Sequence, residues 1–111
     1  MSRRAYSKLP AATLLELDRY LRNGEIPEKA LCAFLEDSVN GFFRYADRAL
    51  ERRAHILALL VFELLPPRAW GSSRRVTIWI ASGGFRGQRR LREWELSRQG
   101  RAFRSVVGAA T

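Results

Sequence analysis

"RAWGSSRRVTIWIASGG", residues 68–84, decides whether this chain is wholly helical or carries a strand. Trp-Gly-Ser-Ser is turn chemistry, and "VTIWI" alternates in the manner of a half-buried strand. The alternation is too short to outvote its neighbours. Ser72, placed after a tight Trp-Gly turn, is a good helix cap, and Val76, Trp79 and Ile80 recur at spacings of three and four, one face of a helix. We therefore expect a helix opening at Ser72 and closing at Gly83-Gly84, with Trp70 turned into the core where Pro66-Pro67 bends the chain. On that reading Trp70, Gly71, Ser72, Val76 and Trp79 form a structural motif, the seam between a third and a fourth helix.

The upstream pattern is helical too. A first helix starts near Pro10, with Ser7 as its cap, and carries Leu14, Leu17 and Leu21 on one face; Asn23-Gly24 stops it. A second enters through Pro27-Glu28. Its face comprises Ala30, Leu31, Phe34, Leu35, Val39, Phe42 and Phe43, and the three phenylalanines are expected in the core. Glu36-Asp37 and Asn40-Gly41 allow this segment to be one helix or two. Asp47 caps a third helix over about 48–65, charged at its start and apolar nearly all round in "ILALLVFELL". A helix of that kind has a buried end or shows apolar surface to a partner. Pro66-Pro67 ends it. Gln88 to Arg98 forms a further helix carrying Leu91 and Trp94, and the last residues are expected to be mobile.

The expected architecture is thus all-α: one small domain of four to five short helices. Residues 1–9 form a basic arm, 10–84 the helical core and 85–111 an arginine-rich, partly mobile extension. A chain of 111 residues suits one domain, and 47% apolar residues suffice for one core. One cysteine, Cys32, excludes an internal disulfide and suits a reducing compartment. The apolar run from Ile56 to Leu65 falls well short of the roughly 20 residues that span a bilayer, and contains Glu63. The expected location is the cytoplasm of a bacterial host cell, with no membrane partner.

The net charge is +9, and all basic residues but Lys8 and Lys29 are arginine. The excess sits at the ends: Arg3, Arg4 and Lys8 face no acid, and Arg86, Arg89, Arg90, Arg92, Arg98, Arg101 and Arg104 face only Glu93 and Glu95. These seven arginines are candidate contacts to nucleic acid or to an acidic protein surface, with Trp94, Phe85 and Phe103 interleaved as faces on which bases could stack. No helix-turn-helix, zinc-finger or RNA-binding-sheet signature accompanies them. The search for catalytic chemistry is negative. One histidine, His55, and one cysteine give no metal-ligand spacing, and a solvent-edge or structural role suits His55. The acidic pairs Glu16/Asp18, Glu36/Asp37 and Glu93/Glu95 have spacings that do not share a helix face. "SGGFRGQRR" lacks the lysine and serine or threonine of a phosphate-binding loop. We expect no catalytic, cofactor or metal site.

Over residues 20–80, Tyr20 and Gly24, then Phe34, Leu35 and Asp37, then Arg44, Ala46 and Asp47 make up the first part of a spaced pattern. Phe62, Glu63 and Pro66, then Trp70-Gly71-Ser72, and finally Val76 and Trp79 make up the second. The pattern resembles that of a family of small phage and prophage proteins of unassigned function. The basic end has no counterpart in it. The resemblance implies a small helical accessory protein with no catalytic residue. Together with the small size and the absence of a catalytic constellation it leads to the expectation of a non-enzymatic protein that docks a host or phage protein, modulating host machinery or defence. A nucleic-acid-binding protein is the alternative, and the apolar third helix also suits a homodimer.

Overall fold

Every regular element of the computed structural model, which describes residues 3–110, is helical. The short helix α1 (Arg3–Tyr6) leads into α2 (Ala11–Asn23), α3 (Lys29–Leu35), α4 (Val39–Tyr45), α5 (Arg48–Arg52) and α6 (Ala54–Leu64). A 3-10 turn at Pro67–Ala69 precedes α7 (Ser73–Ser82), α8 (Gly84–Gly87), α9 (Leu91–Leu96) and α10 (Arg98–Ala110). The all-α expectation holds, but the segments outnumber the four or five expected. Turns inside two predicted helices account for part of the surplus. Asp37 adopts a left-handed φ of 64°, which aspartate tolerates better than most side chains, and it separates α3 from α4. Arg53 breaks the third predicted helix into α5 and α6.

Within residues 68–84, Ser73–Ser82 is α-helix, as the cap and spacing imply. The Ser72 hydroxyl accepts from the Arg75 N–H at 3.1 Å, and Arg75 Nη1 reaches back to the Pro67 and Trp70 carbonyls at 3.2 and 3.3 Å. Val76 and Trp79 face the core. Trp79 Nε1 donates to the Tyr20 carbonyl at 2.8 Å, and the Tyr20 hydroxyl donates to the Ala69 carbonyl at 2.7 Å. These two bonds satisfy the polar ends of buried aromatics while stitching α2 to the 3-10 turn and α7. The first helix begins at Ala11 with Pro10, not Ser7, in the cap position. Asp47 does cap, accepting from the Leu50 N–H at 2.8 Å.

The core gathers Leu14, Leu17 and Leu21 of α2 with Leu57, Leu60 and Val61 of α6. It does not stop at residue 84. Phe85, Trp94, Phe103 and Val106 are buried in the same cluster, and α10 packs on α1, α2, α6 and α9. The partly mobile 85–111 extension is therefore corrected: through residue 110 it is helical and supplies one wall of the domain. Its arginines point outward while α8, α9 and α10 contribute mainly one aromatic each to the interior, so charge concealed the apolar contribution. The radius of gyration, 12.9 Å, is that of a compact chain of this length, about 13 Å per 100 residues, and leaves no room for a trailing tail. The expected arm at 1–9 lies partly outside the described residues; within them, Tyr6 and Leu9 are core residues and the Tyr6 hydroxyl donates to Glu63 Oε2.

One glycine contact fixes how the last third sits. Gly24 ends α2 with φ 68°, and Gly84 opens α8 with φ 63°. A Cβ on Gly84 would lie 2.6 Å from the Gly24 nitrogen and 2.6 Å from the Leu21 carbonyl oxygen. The two backbones touch directly, a separation that a side chain forbids.

Candidate functional site

The turn at Asp37 re-aims α4. The Ser38 N–H donates to the Ala33 carbonyl at 2.8 Å, and the Ser38 hydroxyl then caps α4 by accepting from the Gly41 N–H at 3.2 Å. With α4 so turned, Phe42 enters the core, its ring edge-on to Phe34 at 5.2 Å. Its neighbours face out: Phe43 is 51% exposed and Val39 64%. The expectation that all three phenylalanines are core is corrected accordingly. α6 supplies the opposite wall. It is apolar over most of its circumference, so after Ile56, Leu57, Leu60, Val61 and Leu64 are buried, apolar side chains remain outside, chiefly Phe62 at 72% exposure. The Gly71 N–H donates to the Leu35 carbonyl at 2.8 Å, pinning the seam to the end of α3 and bringing Trp70 edge-on to Phe62 at 6.3 Å.

These walls enclose an open groove of about 510 Å³. Phe34, Val39, Phe43, Phe62 and Trp70 form its sides, Ala54 and Ala58 its small residues, and Asp37 is its only charged lining residue. Trp70 Nε1 is buried and has no hydrogen-bond partner among the described residues. The volume lies within the range of about 300–1,000 Å³ typical of ligand pockets, and the lining suits apolar surface rather than ions. Monomeric proteins seldom leave large apolar side chains clustered this way without a use for them.

The arginines anticipated from the sequence lie elsewhere. Arg86, Arg89, Arg90, Arg92, Arg98, Arg101 and Arg104 are all exposed. Arg92 and Arg104 meet at a second, more open depression with Leu91, Glu95 and Leu96. Arg104 is already paired there with Glu95 at 3.9 Å, and Glu95 also binds Arg22 at 3.2 Å, tying α9 to α2. Trp94 is corrected as a contact residue. It is 6% exposed, stacked on Phe85 at 4.7 Å and tilted against Phe103 at 6.4 Å, so the aromatics that could have met bases meet one another. Trp70, Gly71 and Ser72 lie between the 3-10 turn and α7, Val76 and Trp79 lie on α7, and Trp70 alone among the five also lines the groove.

No protein family, curated protein or solved structure matches this chain.

Titratable chemistry is sparse. Cys32 is half-buried and its Sγ donates to Glu36 Oε1 at 3.1 Å; burial, then the adjacent carboxylate, pushes the thiol up to about 11. At neutral pH it is a protonated, weakly reactive sulfhydryl. His55 is exposed at the start of α6. Among the described residues no group of three or more His, Cys, Asp or Glu could hold a metal ion, and no helix is long and apolar enough to cross a membrane. The residues that sequence reasoning missed are Val39, Ala54, Ala58 and, above all, Phe43 and Phe62. The signal for Phe62 was present: a helix apolar on every side cannot bury every side in a domain this small.

Proposed function

We propose that this chain is a non-enzymatic phage or prophage accessory protein, acting in the bacterial cytoplasm by docking a host or phage protein, and that it docks through the groove between α4 and α6. The observation that carries the reading is the clustering of Val39, Phe43 and Phe62, all largely exposed, around one apolar concavity. Burying apolar surface there gains about 25 cal/mol per Å², which suits association with a partner's apolar side chains. The phage assignment rests on the sequence resemblance over residues 20–80, and a role in modulating host machinery or defence follows from that assignment. The test is a comparison of the proteins captured from nuclease-treated bacterial lysate by the wild-type chain and by Phe62→Asp. A partner retained by the wild type and lost by the variant supports the reading; identical capture by both defeats it.

The nucleic-acid alternative keeps one supporting observation, the seven exposed arginines of α8–α10. With Phe85, Trp94 and Phe103 buried, such binding would rest on phosphate contacts and fall steeply with salt. Removing residues beyond 84 would unmake the core, so the informative variant is Arg89→Glu/Arg90→Glu/Arg92→Glu in a gel-shift series at rising salt. Loss of tight binding in that variant favours the alternative.

A further inference from the structure

The groove between α4 and α6 is apolar except at one point. Of the polar side-chain groups in its lining, the Ser38 hydroxyl is spent on capping α4. The Trp70 N–H is buried, so the indole shows the groove its ring carbons. That leaves the Asp37 carboxylate, which is exposed and makes neither an ion pair nor a hydrogen bond among the described residues. It stands there against local preference. Asp37 directly follows the last turn of α3 and its cap Glu36, at a helix end whose dipole disfavours an anion. Its left-handed φ of 64° is a conformation that glycine or asparagine supplies at helix ends without bringing a charge. An unpartnered charge held in a strained turn, on the lip of an apolar concavity, is placed to meet a charge from outside.

The walls favour the same sign of charge. Phe34 and Phe43 line the groove from α3 and α4, and Phe62 and Trp70 line it from the other side. The faces of such rings carry negative potential and attract ammonium and guanidinium groups. An anionic occupant, a phosphate or an acidic segment, would set like charge against the one carboxylate in the lining. A single carboxylate among apolar walls matches a single cation, and the net charge of +9 opposes a partner that carries many.

We infer that the partner segment seated in the groove carries one lysine or arginine among apolar side chains, the basic group meeting the Asp37 carboxylate and the neighbouring rings while the apolar ones pack on Val39, Phe43 and Phe62. This rests on the docking role proposed above and names the chemistry of the partner. The apolar side chains supply most of the affinity; the basic one selects the partner and fixes its register.

The probe is a displayed library of random peptides of about 12 residues, selected in parallel on the full wild-type chain, on Asp37→Asn and on Phe62→Asp. Asparagine adopts the left-handed turn as readily as aspartate, so Asp37→Asn removes the charge and keeps the fold. Peptides that the wild type retains and Phe62→Asp loses should be apolar with a lysine or arginine at one fixed place, and that basic excess should vanish on Asp37→Asn. A synthetic copy of the strongest should bind the wild type about five- to ten-fold tighter than Asp37→Asn by fluorescence anisotropy. Replacing its basic residue by glutamine should cost the same factor on the wild type and nothing further on Asp37→Asn. Groove-dependent peptides without a basic excess, or an excess that survives Asp37→Asn, overturn the inference. So does a wild-type dimer in sedimentation that Phe62→Asp splits, because a second copy then fills the groove. If no peptide depends on Phe62 while the lysate partner is still lost with Phe62→Asp, this inference falls and the docking role stands; if Phe62→Asp changes neither, both fall.

Discussion

Trp94→Ala removes an indole from within an aromatic series that runs from Tyr20 through Trp79, Phe85 and Trp94 to Phe103. Its ring centroid lies 4.7 Å from that of Phe85 and 6.4 Å from that of Phe103, and the residue is almost wholly buried. Truncating a buried aromatic to alanine costs about 3–5 kcal/mol, through lost burial and the cavity left behind. Two ring contacts of about 0.5–1.5 kcal/mol each place this site in the upper part of that range. Domains of this kind hold only about 5–15 kcal/mol in total, so about a quarter or more of the stability goes with one side chain. At about 4–8 °C per kcal/mol, the melting temperature falls by about 12 °C or more. Urea unfolding followed by far-UV circular dichroism measures the loss directly, and Trp94→Phe, which keeps a ring against Phe85, recovers a good part of it. A loss below about 0.5 kcal/mol, the range of an ordinary surface substitution, would refute the placement of the 85–110 segment in the core.

Gly84→Ala should cost at least about 1–2 kcal/mol for a left-handed alanine, and more because its Cβ meets the α2 backbone; Gly108→Ala, where a Cβ meets nothing within 4 Å, should be neutral or stabilising in the same thermal melts. Ser72→Ala removes the α7 cap and should lower stability by about 1 kcal/mol in urea titrations, whereas an unchanged midpoint would mean the hydroxyl does not cap. Cys32 should alkylate far more slowly than a free thiol at neutral pH, its rate climbing only as the pH nears about 11. Because its folded-state pKa is raised, the stability it contributes is complete below the unfolded thiol's pKa and fades as the pH rises through about 11; alkylation at the rate of an ordinary thiol would contradict the buried contact with Glu36.

The segments that the sequence specifies well are those whose signals are local. Leu14, Leu17 and Leu21 followed by Gly24 describe the face and stop of α2, though not its cap, and Ser72 with Val76 and Trp79 describes α7, because these signals lie within one element. Phe85, Trp94 and Phe103 evade such reading. They stand nine residues apart on α8, α9 and α10, each with an arginine one or two residues away, so charge masks them, and their burial becomes visible only when Gly24 and Gly84 meet. The groove was half-legible. The apolar second half of the third predicted helix signalled either burial or display, and α6 does both; but whether Phe43 faced in or out depended on the left-handed Asp37, which a face drawn straight through residues 30–43 cannot register.

The partnership of α10 with α1, α2 and α6 bears on how the protein is made. A ribosome polymerises in order, so the leucines of α2 and α6 exist before Phe103 and Val106, the residues that cover them. At about 5–20 residues per second, Val106 follows Leu60 by roughly 2–9 s. For that interval the nascent chain holds a finished apolar face with no lid, an opening for chaperone capture or for aggregation that closes only once α10 has been made and docks.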